Sequence, residues 1–73
     1  MKAAVEVAPE IEQLRERVAI ALEATTGQDN RGDRTYHARV WLREWLEVGT
    51  SSWAVFSRLE WLEGVARAAA ADA

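Results

Sequence analysis

Apolar residues recur at helical spacing in three stretches of this chain, and two short glycine-bearing breaks separate the stretches. A three-to-four-residue period gathers side chains on one side of a helix, whereas a strand would need strict alternation. The pattern therefore predicts an all-α fold, with helices over about 9–26, 34–48 and 52–71 of one helical domain spanning 1–73. The short connections favour a three-helix bundle in up-down-up order.

In the first stretch Val7, Ile11, Leu14, Val18, Ala21 and Thr25 follow alternating spacings of four and three, with Leu22 alongside. Pro9 suits a first helical turn, because its missing N–H would be unpaired there anyway. Glu10 and Glu12 complement the positive end of the helix dipole, and Gly27 is the expected terminating glycine. Ile20 falls on the opposite, charged face near Glu16 and Glu23.

After the polar loop Gly27–Asp33, either Asp33 or Thr35 is placed to cap the second helix. Its apolar arc holds Ala38, Trp41, Leu42, Trp45, Leu46 and Val48, and its outer face holds Tyr36, Arg39, Arg43 and Glu47. Gly49 ends it, and one of Thr50, Ser51 and Ser52 caps the third. There Val55, Phe56, Leu59, Leu62, Ala66 and Ala69 form the main stripe. Trp61 projects about 160° away from Leu59, and Trp53 also stands off the stripe. A helix apolar on more than one side is usually covered on more than one side. The tetrapeptide Glu-Trp-Leu-Glu occurs at Glu44–Glu47 and at Glu60–Glu63, a match too short to indicate duplication.

Size sharpens the question of what covers the surplus. A chain of 73 residues buries only about 60% of its unfolded surface, so one core leaves it marginally stable. Chains this small commonly add disulfides, a metal or a second subunit. Cysteine is absent and His37 is the single histidine, which removes disulfides and thiolate metal sites. Assembly as a homodimer, or docking on a partner protein, is the expected supplement. With 12 acidic and 9 basic residues the chain is mildly negative, and eight of those nine are arginine. No stretch reaches the roughly 20 apolar residues of a membrane span, and no signal-peptide core is recognisable. A cytoplasmic protein without membrane contact is expected.

Candidate chemistry is thin. His37 is the one usual general base near neutrality, and no serine or threonine can be set beside it with a carboxylate in a nucleophile arrangement. Glu60 and Glu63 share a side of the third helix as solvated charges. No phosphate loop, HExxH motif or calcium loop occurs. The Gly27–Asp33 loop lacks both the acidic first ligand and the closing glutamate of an EF-hand. Arg31-Gly32-Asp33 spells an adhesion tripeptide without an extracellular context. No enzyme activity, cofactor, metal or small-molecule substrate is expected.

Two binding readings follow. The first rests on the four tryptophans. Trp41 and Trp45 belong to the core, whereas Trp61 lies beside Ser57, Gly64 and Ala68, small residues that let another helix approach. Trp61, Trp53, Ser57, Gly64, Ala68 and Ile20 are thus the expected protein interface. Size and composition associate such a chain with inhibitors, adaptors and phage or mobile-element modulators. The second reading takes Arg31, Arg34, Arg39 and Arg43 as anion or nucleic-acid contacts, with the second and third helices as a helix-turn-helix around Gly49. Trp45 occupies the position where that motif needs a small residue, and the would-be recognition helix offers Arg58 against Glu60 and Glu63.

Overall fold

The computed structural model describes residues 9–49 and 53–72. These form three α-helices and, among the described residues, no strand: α1 (Pro9–Ala24), α2 (Asp33–Val48) and α3 (Trp53–Asp72). The expected positions of Val7 and of the caps Thr50–Ser52 fall outside the described residues.

The core forms where the three stripes meet. Leu14, Val18 and Ala21 of α1 pack with Ala38, Leu42 and Trp45 of α2 and with Val55, Leu59 and Leu62 of α3. Leu22, Trp41, Leu46 and Trp61 close its edges. Arg15 lies against Gly49, while at the other end Arg39 reaches Leu22, so α1 and α2 run antiparallel. Trp41 meets Arg58 and Arg34 meets Trp61, which makes α2 and α3 antiparallel as well. The up-down-up order is therefore realised. None of the described helices is long and apolar enough to cross a membrane.

Two residues expected in the core stripes stand outside. Val48 is 70% exposed and Phe56 41%. Val48 sits about 120° around α2 from Leu42, and Phe56 about 120° around α3 from Leu62, so each lies past the edge of its buried arc.

The helix ends are finished largely by tertiary contacts. α1 stops at Ala24, two residues short of the expected end, and Thr25 folds back so that its hydroxyl donates to the Ala21 carbonyl at 2.8 Å. Gly27 then takes a left-handed φ of 83° and a single 3₁₀ turn, Asp29–Arg31, leads into α2. The N-cap of α2 is Gly32, without a side-chain hydrogen bond. Neither Asp33 nor Thr35 caps it, because Asp33 is already in the first turn and Thr35 is buried against α3. Gly49 closes α2 as expected, in a left-handed conformation (φ 78°) with its N–H on the Trp45 carbonyl at 2.7 Å.

Neither α1 nor α2 carries a basic residue in its own last turn. Each receives an arginine from the other. Arg15 of α1 has Nη1 2.8 Å from where a Cβ on Gly49 would stand. Arg39 of α2 binds the last turn of α1 through the Leu22 carbonyl at 3.0 Å. Cations at helix C-termini meet the negative end of the dipole and the unpaired carbonyls there.

Candidate functional site

The interface of α2 with α3 is built around two reciprocal ring–cation contacts. The Arg34 guanidinium of α2 lies 4.0 Å from the Trp61 ring centroid of α3. The Arg58 guanidinium of α3 lies 4.2 Å from the Trp41 ring of α2. Helical spacing permits this, since Arg34 and Trp41 differ by about 20° around α2 and Arg58 and Trp61 by about 60° around α3. Each helix thus offers one ring and one cation along the same side. The Trp61 indole N–H donates to the hydroxyl of buried Thr35 at 3.0 Å.

Trp61 is therefore not the surplus ring that its distance from the α3 stripe suggests. It is half-buried, and its polar edge and one face are occupied from within the chain. A lone helical wheel misses this because α2 covers the flank of α3 as well as its centre. The exposed ring is Trp53, at 80%. Phe56 stands one turn further along.

Two shallow cavities flank the Trp61 ring on the outer side of the α2–α3 pair. One of about 340 Å³ is lined by Arg34, His37, Ala38, Trp53, Ser57, Arg58 and Trp61. The other, about 370 Å³, is lined by Arg31, Thr35, Glu60, Trp61, Gly64, Val65 and Ala68. Five of the six residues expected at an interface, Trp53, Ser57, Trp61, Gly64 and Ala68, thus line one groove. The sixth, Ile20, is 61% exposed on the outer face of α1, beside Ala19, Glu23 and Ala24 and away from the groove.

The residues that sequence reasoning did not place here are His37, Arg58 and Thr35. His37 makes an edge-to-face contact with Tyr36, with ring centroids 5.3 Å apart. Arg58 also donates to the Ala54 carbonyl at 3.2 Å. Among the described residues neither Arg34 nor Arg58 is ion-paired, and Glu60 is the one carboxylate in the groove lining. The groove is aromatic and cationic on a chain whose formal net charge is −3.

Of the four arginines grouped as possible anion contacts, Arg31 and Arg34 line the two groove cavities, whereas Arg39 and Arg43 lie elsewhere. Arg39, expected on the outer face of α2, is only 8% exposed. It sits about 60° around α2 from Leu42, at the flank that α1 and the loop close over. Its Nε donates to Thr25 Oγ1 at 3.0 Å, its Nη2 to the Leu22 carbonyl and its Nη1 to Asp29 at 2.8 Å. Arg43 is exposed on the outer face with Tyr36 and Glu47. Arg31 bonds to Gln28 Oε1 at 2.6 Å and pairs with Asp72 of α3 at 3.0 Å. Arg34 alone faces into the first cavity as well as onto a ring.

A last polar clasp ties α1 to α3, where Arg17 meets Glu63 through Nε at 3.2 Å and Nη2 at 2.8 Å. The hydrogen bond to the Glu63 carboxylate raises the Arg17 pKa above its ordinary value against the opposing effect of desolvation. No family model, no curated protein and no solved structure matches this chain.

Proposed function

We propose that this protein is a non-catalytic binding module that recognises a polypeptide through the groove between α2 and α3. The observation that carries this reading is Trp53. A tryptophan left 80% exposed forfeits the burial that a small core most needs, and aromatic rings beside half-formed cavities are the usual anchors of protein interfaces. Its neighbours suit that role. Trp61 and Thr35 form a pre-positioned wall, and Ser57, Gly64 and Ala68 leave the approach to α3 unobstructed. Because Arg34 and Arg58 are held on rings, little side-chain freedom would be lost on binding.

The nucleic-acid alternative has less behind it. Arg39 is engaged inside the fold, Arg31 is paired, and Arg43 stands on a different face. Counterion release needs several cations presented together.

Site-specific photo-crosslinking in the native cell tests the proposal. A photoreactive residue at exposed Ser57 is expected to form a covalent adduct with a polypeptide, whereas the same residue at exposed Glu47, on the outer face of α2, is not. Equal adducts from both positions, or none from Ser57, would remove the basis for assigning the groove this role.

A further inference from the structure

Resting on the groove as a protein-binding site, we infer that its occupant is α1 of a second copy of this chain, giving a head-to-tail assembly. Charge and shape both point there. The groove gathers Arg34 and Arg58 around Trp53 and Trp61 against one carboxylate, Glu60, and Arg34 and Arg58 have no carboxylate partner among the described residues. The outer face of α1 is its complement. Ile20, which is 61% exposed, has Glu16 and Glu23 one turn to either side and Ala19 and Ala24 as small neighbours, while the nearby Arg17 is already held by Glu63. An acidic helical face with one aliphatic anchor is what a cationic groove walled by indole rings would take.

The lengths agree. The groove side of α3 runs from Trp53 through Ser57, Trp61 and Gly64 to Ala68, about 22 Å at 1.5 Å per residue. α1 has 16 residues, about 24 Å by the same rise.

Gly64 supplies a separate argument. It lies inside α3, where glycine is disfavoured against alanine. Its φ is not positive, and an added Cβ would meet only Arg67 Nη2, at 3.8 Å. Nothing within the chain requires a glycine there. A helix backbone arriving from outside would.

The donor face and the acceptor groove lie on different sides of the bundle. No residue of α1 lines either groove cavity, and Ile20 points about 160° away from buried Val18. Two such patches on one subunit make a heterologous contact, which repeats from copy to copy instead of closing as a two-fold dimer.

Sedimentation of the full chain and two surface variants tests this. Ile20→Lys removes the donor anchor and Trp53→Ala the acceptor anchor, both at exposed sites, and circular dichroism checks that each variant stays helical. The wild type is expected to grow in mass with concentration, less so at high salt. Each variant should raise the self-association Kd by about 30-fold or more, the effect of losing an interface anchor. An equimolar mixture should then form a dimer and stop, because it contains one intact donor and one intact acceptor. A wild type that stays monomeric, variants that assemble like the wild type, or a mixture that stays monomeric would each overturn the inference. A monomeric wild type whose Ser57 crosslinks to other proteins would overturn the head-to-tail assembly and leave the groove's role as a protein-binding site standing.

Discussion

Arg39 shows how one side chain settles a local structure that polarity alone would misplace. Its guanidinium satisfies the Leu22 carbonyl at the end of α1, the Thr25 hydroxyl and the Asp29 carboxylate together. Three acceptors in different directions need the fixed fork of arginine, which a lysine ammonium does not reproduce. Arg39→Lys is therefore expected to destabilise the fold nearly as much as Arg39→Ala, by about 2–3 kcal/mol, since the buried Thr25 hydroxyl and the part-buried Leu22 carbonyl lose their charged donor. Urea unfolding followed by circular dichroism measures both. Near equality of Arg39→Lys with the wild type would show that charge, not the fork, is what matters. Thr35 has a smaller part of the same kind. Thr35→Val keeps the volume but removes the acceptor of the Trp61 indole N–H, and should cost about 1 kcal/mol.

At the scale of elements, helices pair by exchanging groups: α1 and α2 trade arginines at their C-termini, and α2 and α3 trade a ring for a cation twice. A double-mutant cycle on Arg34 and Trp61 is expected to return a coupling of about 0.5–1 kcal/mol, the range for partly exposed ring–cation pairs. Gly64→Ala should stabilise α3 by up to about 1 kcal/mol, because the new methyl makes only an ordinary van der Waals contact with Arg67, and should weaken self-association in the same preparation. Gly49→Ala should do the opposite to stability, since φ is 78° and Arg15 stands 2.8 Å from the new Cβ. Much of this level was legible in the sequence. The stripes of α1 and the inner arc of α2 have period and amplitude enough to name Leu14, Val18, Ala21, Ala38, Leu42 and Trp45 as core. The side chains at arc edges were not legible. Arg39, Trp61, Val48 and Phe56 all lie where one helix alone cannot say whether a neighbour covers the flank, and that depends on crossing geometry set by all three helices. The N-cap of α2 and the arginine that finishes α1 were missed for a related reason. Gly32 and Arg39 finish helix ends in place of the local serine, threonine or aspartate that a sequence motif would show.

For the whole molecule, the head-to-tail assembly proposed above would link stability to association, because the core is small. If binding adds to folding by mass action, the midpoint of thermal unfolding rises with protein concentration. That rise is expected in the wild type and should be flattened in Trp53→Ala, whose exposed ring contributes little to the isolated fold. Calorimetry over a range of concentrations reads it directly, and a midpoint independent of concentration in both would mean that each chain folds alone.

The four tryptophans also make the protein its own spectroscopic gauge. Trp45 is buried, Trp41 and Trp61 lie beneath guanidinium groups, and Trp53 faces water. Their emission is consequently a composite of dry, cation-shadowed and hydrated indoles, with Trp53 alone at the red edge. A neutral quencher will reach Trp53 first, and any ligand that seats in the groove will shift the red edge toward blue while leaving the Trp45 contribution unmoved. Occupancy and unfolding, which pull the spectrum in opposite directions, can then be told apart in an unlabelled sample.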